Sequence, residues 1–290
     1  MEPFMLTEKP GSDAGLLHLA KWEAFEGITA GFSTRNGGVS APPRQALNTA
    51  LHVGDEASDV IANRKLVAEA LGWNFAAWTC AEQVHGNRVH AVTSADAGRG
   101  RLDRDSAIPD TDALITNEPD ILLAMYFADC VPLYFYDPAT NALGLAHAGW
   151  KGTVANVAAA TIEAMRNHYG TKPEDLMAAV GPSIGACCYE VDEAVLKHVR
   201  PLAAELEDIY QADASPLVTN AKEGHARLNL KEFNRHLMIK AGILPSRIEM
   251  TTWCTGCRTD IFFSHRQENG ATGRMMSWLG RRGEYRHGVG

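Results

Sequence analysis

The chain has 290 residues, of which 46% are apolar and 21% are charged, and its formal net charge at pH 7 is −8. This is the composition of an ordinary globular protein. The sequence has no extended cluster of Lys and Arg, so a nucleic-acid-binding surface is not expected.

Residues 1–15 are mostly polar and lack the basic-then-apolar pattern of a signal peptide. The apolar run 121–128 is far too short to span a bilayer. We therefore expect a cytoplasmic protein with no membrane or nucleic-acid partner. We also expect it to be a monomer. We expect a flexible N-terminal segment over 1–15 and a single catalytic domain over 16–290. Six cysteines in a cytosolic chain are more often reduced, catalytic or metal-bound than paired in disulfides.

The first half of the chain predicts strands, turns and one helix. In order, they are a strand ending at 31–35 with a turn at 36–38, a helix from Ser58 to Gly72, strands over 78–84 and 88–92 joined by a turn at 85–87, an irregular loop over 94–112, and a buried strand over 122–127. The two strands around 85–87 predict a short hairpin.

Two apolar runs flank a turn containing Pro and Asn at 137–141, and this pattern predicts a central β-hairpin. The later elements are a helix from about Val154 to His168, a strand over 176–180, a helix from Glu190 to about Leu206 that is bent or broken at Pro201, a helix capped by Asn229 and ending at Gly242, and strands over 248–253 and 261–263. Hairpins mixed with helices favour an α+β fold over a doubly wound parallel sheet.

Cys130 opens the first strand of the central hairpin, and His147 closes the second. In an antiparallel ladder these two ends lie side by side, roughly 5 Å apart at Cα. A thiol and an imidazole held there can bind a metal or form a nucleophile–base pair. His85 is our choice of third ligand, and His90 competes for this role. Three such ligands suit Zn²⁺ with its fourth position open, whereas the alternative is a buried Cys with two hydrogen-bonded histidines.

The helix predicted after His147 begins with Gly149, Lys151 and Gly152. Free backbone N–H groups and a Lys at such a start favour a phosphate or carboxylate nearby. An ordinary strand-to-helix connection is the alternative interpretation.

Cys254 and Cys257 form a Cys-x-x-Cys pair. A redox pair should open a helix, but here the strand-like residues 261–263 follow. Half of a structural zinc site would need Cys187 and Cys188 as partners, and their adjacency is a poor match to ligand spacing. We therefore expect buried, reduced thiols.

Eight motifs occur in order between about residue 29 and residue 280: 31–35 with 37–40, 47–48 with 52–55, 83–86, 111–113, 128–132, 147–150, 181–185 and 262–266. Together they resemble the multicopper polyphenol oxidase family, also called laccase-domain or YfiH-like. That family is described as zinc-dependent purine nucleoside phosphorylase, with a peptidoglycan-editing role in some bacterial members. The resemblance covers nearly the whole chain.

The resemblance implies a four-layer α/β/β/α sandwich with mixed sheets, related to a toxin deamidase domain. It implies zinc ligands and catalytic residues at His85, Cys130 and His147. It implies substrate- or phosphate-binding residues at Arg35, Asn48 and Lys151, the last being a position where the family often has Arg. The implied activity is phosphorolysis of adenosine, inosine, guanosine and methylthioadenosine, together with adenosine deamination.

Three other functions compete with this one. A copper-dependent polyphenol oxidase would explain the older family name, but the chain has no His-x-His pair. An amidase acting on a peptidoglycan precursor would use Cys130 as nucleophile and His147 as base. A zinc ion that serves only as a structural staple is the non-catalytic alternative, although a chain of this length does not need one.

Overall fold

The strands of the protein form two large sheets and one small sheet in a computed structural model that describes residues 1–7, 14–209 and 216–283. The strands are β1 (Phe4–Thr7), β2 (Leu16–Leu19), β3 (Ile28–Ser33), β4 (Trp78–Cys80), β5 (Val89–Ala91), β6 (Ala113–Thr116), β7 (Ile121–Phe127), β8 (Val131–Asp137), β9 (Ala142–Ala148), β10 (Met177–Val180), β11 (Glu190–Asp192), β12 (Val218–Lys222), β13 (His225–Leu228), β14 (Ile248–Met250) and β15 (Met275–Arg281). The α-helices are α1 (Ala57–Leu71), α2 (Trp150–Val154), α3 (Val157–Tyr169), α4 (Glu193–Ile209) and α5 (Leu230–Lys240).

The first large sheet has the strand order β1-β2-β3-β15-β7-β4, and the second has the order β14-β10-β8-β9-β6-β5. Both sheets are mixed. β4 runs parallel to β7 in the first sheet, while β14 and β5 run parallel to their neighbours in the second. The third sheet is small, with the order β11-β13-β12.

The two large sheets pack face to face, and helices cover both outer faces. Aromatic and aliphatic side chains fill the space between the sheets, among them Phe4, Phe127 and Tyr134. Helix α1 covers the outer face of the first sheet, while α3, α4 and α5 cover that of the second. Every residue of β7, β8 and β9 is buried, because these strands have a covered layer on each side. The predicted α+β fold with four layers in the order α/β/β/α is thus confirmed.

The central hairpin and the capped helices were predicted correctly. β8 and β9 pair in register from Val131 opposite Ala148 to Asp137 opposite Ala142. Helix α1 ends at Gly72, and the Asn229 side chain caps α5 by accepting a hydrogen bond from the backbone N–H of Glu232.

Several predicted elements were wrong. The strands around 85–87 do not form a hairpin, since β4 belongs to the first sheet and β5 to the second. Residues 261–263 are not a strand, because the backbone N–H groups of Ile261 and Phe262 donate locally to the Arg258 carbonyl. The helix predicted over 154–168 is divided into α2 and α3 at Asn156, which has a positive φ of 57°.

Two more differences concern the ends of elements. The segment predicted as a helix from Glu190 begins as strand β11, and α4 then continues through Pro201. Within the predicted flexible segment 1–15, residues 4–7 form β1 and pair with β2. Residues 8–13 of that segment lie outside the described residues. In the described ranges, no helix is both long and apolar enough to cross a bilayer.

Helix α1 anchors the loop 35–49 through Asn63. The Asn63 side chain accepts a hydrogen bond from the backbone N–H of Val39 at 2.9 Å. Its amide nitrogen donates to Ser40 Oγ at 2.9 Å and to the carbonyls of Ala46 and Asn48 at 3.1 and 2.8 Å. The bonds to Ser40 and Asn48 are buried and the other two are partly buried, so removing the amide leaves buried groups without a partner.

We expect Asn63→Ala to lower the free energy of unfolding by about 2–3 kcal/mol, because buried donors and acceptors lose their hydrogen bonds. Urea denaturation measures this change. The matched control is Lys65→Ala on the exposed side of α1, which should stay within about 0.5 kcal/mol of the unmodified protein. Equal stabilities of the two variants would contradict the anchoring role of Asn63.

Candidate active site

The fold brings the side chains of His85, Cys130 and His147 together. Their ligand atoms all lie within 4.8 Å of one another. Cys130 directly precedes β8, and His147 in β9 faces Pro132 across the hairpin. His85 follows β4 from the other sheet and has a positive φ of 64°. The rings of His85 and His147 are nearly perpendicular, with centroids 4.8 Å apart.

Gly149 provides the space for this cluster. A methyl group at Gly149 would lie 2.9 Å from Cys130 Sγ and 3.1 Å from His85 Cδ2. Neither atom can move away easily, since both belong to the cluster. Any side chain at this position would therefore separate the three ligand groups.

The carboxylate of Asp112 fixes two of the three ligands. It accepts hydrogen bonds from the backbone N–H groups of His85 at 3.0 Å and Gly86 at 2.7 Å. It also lies 2.9 Å from His147 Nδ1. Because an ionised carboxylate only accepts, Nδ1 carries a proton, and Nε2 of His147 is left to donate to a Cys130 thiolate or, once it loses its own proton, to bind a metal. A carboxylate–histidine contact of this kind is typical of metal-binding histidines.

The charges of the cluster favour a thiolate. Burial raises the pKa of the Cys130 thiol, but attraction to His147 and hydrogen bonds from His147 and His85 lower it below its usual range. Burial likewise lowers the pKa of His147, whereas Cys130 and Asp112 raise it above its usual range. A thiolate is the form in which Cys binds a metal or attacks an electrophile.

The cluster lies at the wall of a cavity of about 550 Å³. The cavity is lined by groups from both large sheets, from the starts of helices α2 and α5 and from the connecting loops: His52, Gln83, His85, Tyr126, Ala128, Asp129, Cys130, His147, Gly149, Trp150, Lys151, Ile184, Tyr189, Leu230, His265, Arg266 and Arg274. Its size suits a small organic ligand, and its aromatic and cationic lining suits a planar ring and an anion.

Lys151 lines the cavity together with the three cluster residues. Arg35 and Asn48 are not among the lining residues. The Arg35 guanidinium lies 3.1 Å from Glu268 Oε1 and donates to the Thr259 carbonyl at 2.9 Å. Direct substrate contact by Arg35 and Asn48 stays a prediction.

His90, the competitor for the third ligand position, lies elsewhere. Its Nε2 is 3.4 Å from a carboxylate oxygen of Asp96. His90 is also absent from the groups of ligand atoms that the described residues bring together.

Sequence reasoning missed Asp112 and the cavity residues His52, Arg266 and Arg274. His52, Asp112 and Arg266 belong to motifs that were recognised, but nothing in the motifs indicated which way the side chains point. Burial and the nearby Arg274 lower the pKa of His52 to about 4, so that its imidazole is neutral at pH 7.

We expect Asp112→Asn to weaken metal binding by about 10–100-fold, because the amide cannot supply the charge and acceptors that hold His85 and His147. Competition with a chromophoric chelator measures the affinity for zinc. Asp110→Asn, at an exposed position in the same loop, is the control and should bind zinc like the unmodified protein. An unchanged affinity in Asp112→Asn would contradict the role of this carboxylate.

Comparison with known proteins identifies the family of the chain. The sequence model of the family described as multi-copper polyphenol oxidoreductase laccase matches residues 29–282. Purine nucleoside phosphorylase YlmD of Geobacillus stearothermophilus is 42% identical over 261 residues, which are 90% of this chain and 93% of that protein. Purine nucleoside phosphorylase YlmD of Bacillus subtilis is 41% identical over 255 residues, which are 87% and 88% of the two chains.

A solved structure identifies the same family. The crystal structure of the Bacillus licheniformis hypothetical protein YfiH superposes with a TM-score of 0.88 at 43% sequence identity, and the match covers 97% of this chain and 100% of that chain. The chain therefore belongs to the multi-copper polyphenol oxidoreductase laccase family, the family of YfiH and YlmD.

Proposed function

We propose that this protein is a zinc-dependent purine nucleoside phosphorylase. It would convert adenosine, inosine, guanosine or methylthioadenosine and phosphate to the free base and the corresponding sugar 1-phosphate. The names of the relatives at 41–42% identity support a phosphorylase of purine nucleosides. The observation that carries the proposal is the combination of a ligand cluster and three cations in one cavity.

The three cations of the cavity have no carboxylate partner among the residues that the structure describes, although Arg266 and Arg274 each donate to backbone carbonyls through one nitrogen. Lys151, Arg266 and Arg274 all line the cavity. Within the part of the chain that the structure describes, none of them forms an ion pair with a carboxylate. Phosphate requires such groups, because three of its oxygens share its negative charge. A local concentration of cations can bind it although the whole chain is acidic.

Aromatic side chains offer a surface for the purine. Tyr126, Trp150 and Tyr189 line the cavity, and the Arg266 guanidinium lies over the Tyr189 ring at 5.0 Å from its centroid. A nucleoside between these groups and the cations would have its ribose C1′ near the phosphate. An oxygen of phosphate then attacks C1′ as the bond to N9 breaks, and the purine leaves with the electron pair and takes up a proton. Positioning of the two substrates supplies much of the acceleration in such a reaction.

Arg35 and Asn48 would support substrate binding by positioning the segment 264–274. Arg35 pairs with Glu268, whose other oxygen accepts hydrogen bonds from the backbone N–H of Ser264 and from Thr272 Oγ1. Asn48 Oδ1 accepts from the backbone N–H of Arg274 at 2.9 Å.

His85, Cys130 and His147 would hold the zinc ion. The set fits zinc because the ligand atoms lie close together, Asp112 orients His147, and all three residues line the cavity. Zinc bound there supplies a Lewis acid that can polarise an oxygen of the substrate or lower the pKa of water. Adenosine deamination is the second activity that we propose, and the neutral His52 imidazole could accept a proton from the attacking water.

The same geometry offers a second candidate function. Asp112, His147 and Cys130 form a Cys–His–Asp arrangement. This arrangement is typical of enzymes whose own cysteine attacks the substrate and becomes acylated. A peptidoglycan-precursor amidase would use it without a metal. Treatment with a chelator separates the two functions, because amide hydrolysis should survive it and phosphorolysis should not.

The test of the main proposal is turnover of adenosine by protein of known metal content, followed by mass spectrometry. We expect adenine and ribose 1-phosphate only when phosphate is present, with inosine as a second product. Zinc-loaded protein that releases no adenine would contradict the phosphorylase. Stoichiometric copper with blue absorption in the purified protein would instead support a polyphenol oxidase, since two His and one Cys are also blue-copper ligands.

Lys151→Met tests the phosphate site. We expect the KM for phosphate to rise by about tenfold, or ~1.4 kcal/mol, because one charged contact is lost. The KM for the nucleoside should change much less. Lys151→Arg should keep most of the affinity for phosphate, and Lys197→Met, on the exposed side of α4, is the control. Equal effects of Lys151→Met and Lys197→Met would contradict a phosphate contact at Lys151.

A further inference from the structure

Four of the six cysteines of the chain meet at a second place in the fold. Cys187 and Cys188 follow strand β10, and Cys254 and Cys257 follow strand β14. These strands are parallel neighbours in the second sheet, with Ala178 opposite Ile248. Their carboxyl ends therefore leave the sheet at the same edge, and the two loops continue side by side.

The two loops are joined by backbone contacts as well. Ser183 and Cys254 form an isolated parallel bridge. The backbone N–H of Thr255 donates to the Ser183 carbonyl at 3.1 Å. The adjacency of Cys187 and Cys188 was a wrong reason to exclude them as partners of the Cys-x-x-Cys pair. The expectation of buried thiols was also wrong for Cys187 and Cys257, which are exposed.

The distances between the sulfur atoms are those of a tetrahedral metal site. Cys187 Sγ lies 3.5 Å from Cys254 Sγ and 3.4 Å from Cys257 Sγ, and Cys188 Sγ lies 3.4 Å from Cys257 Sγ. All four sulfurs lie within 4.8 Å of one another. Zinc–sulfur bonds of about 2.3 Å in a tetrahedron place neighbouring sulfurs about 3.8 Å apart. An iron–sulfur cluster would need wider spacing, because several irons and sulfides lie between its cysteines.

The surroundings suit a negatively charged centre. Lys231 is only 7% exposed, and among the residues that the structure describes its ammonium pairs with no carboxylate. Its Nζ donates to the Trp253 carbonyl at 2.7 Å, directly before Cys254. The backbone N–H of Gly185 donates to Cys254 Sγ at 3.1 Å. Four thiolates around one Zn²⁺ carry a net charge of −2, which a buried cation and an N–H donor stabilise.

Gly256, inside the Cys-x-x-Cys pair, makes room for the sulfurs. A methyl group at this position would lie 2.8 Å from Cys188 Cβ and 3.1 Å from its Sγ. The cysteines of the two loops can therefore approach each other only because residue 256 has no side chain. No helix begins at this pair, so the dipole that lowers the thiol pKa in redox motifs is missing here.

We propose that Cys187, Cys188, Cys254 and Cys257 bind a structural zinc ion, separate from the cluster of His85, Cys130 and His147. This ion joins two loops that form a wall of the cavity, since Ile184, Tyr189 and Arg266 come from them or follow them. The ion also fixes Thr255, which lies between Cys254 and Cys257. The Thr255 hydroxyl donates to Asp129 Oδ1 at 2.7 Å, and Asp129 directly precedes Cys130. The proposal does not depend on the activity proposed for the cavity, although the metal counts expected below rest on zinc at the cavity cluster as well.

Metal analysis of purified protein tests the site. We expect two zinc ions per chain in the unmodified protein. The control is Cys80→Ala, which should also hold two, because Cys80 belongs to neither cluster. We expect one zinc ion per chain in Cys257→Ser, one in His85→Ala, and none in the variant that carries both substitutions. A zinc content unchanged by Cys257→Ser would overturn the proposal, and so would iron in place of zinc.

X-ray absorption at the zinc edge of His85→Ala provides a test in which all four cysteines remain. We expect four sulfur neighbours at about 2.3 Å. A shell of nitrogen or oxygen atoms would overturn the proposal. A disulfide among the four cysteines in the unmodified protein, found by mass spectrometry after anaerobic purification, would also overturn it.

Discussion

The candidate active site depends on the carboxylate of Asp112. It holds the turn of His85 from one sheet and the imidazole of His147 from the other, so one buried anion brings together ligands that come from different layers. Burial alone would raise the pKa of Asp112, but hydrogen bonds and attraction from His147 and the backbone N–H of Gly86 lower it. The carboxylate therefore stays ionised and can accept from all of its donors.

A second buried carboxylate connects the cavity to the cysteine-rich loops. Asp129 has a positive φ of 84° and immediately precedes Cys130. It accepts hydrogen bonds from Thr255 Oγ1 and Ser264 Oγ and from the backbone N–H of Arg266. Two segments that are distant in sequence, the loop before β8 and the connection between β14 and β15, thus converge on the residue beside Cys130. A rigid support of this kind keeps reacting groups at fixed positions.

The charge of the cavity is opposite to the charge of the chain. The protein carries a formal net charge of −8, yet the cavity is lined by Lys151, Arg266 and Arg274. Such groups attract an anion locally, because the field within a cleft is dominated by the nearest charges. Overall charge argues against an extended basic surface, but it says nothing about the sign of the charge inside the cavity.

Features that arise from local contacts could be predicted from the sequence. The hairpin that pairs the ends of β8 and β9 follows from two apolar runs and a turn, and the caps of α1 and α5 follow from Gly72 and Asn229. Long-range packing fixes which strands are neighbours. It places β4 and β5 in different sheets. It also places β15 between β3 and β7, which positions Arg274 at the cavity, and β10 beside β14, which joins the two cysteine pairs. Side-chain spacing cannot predict such pairings, because they depend on contacts between segments far apart in the chain.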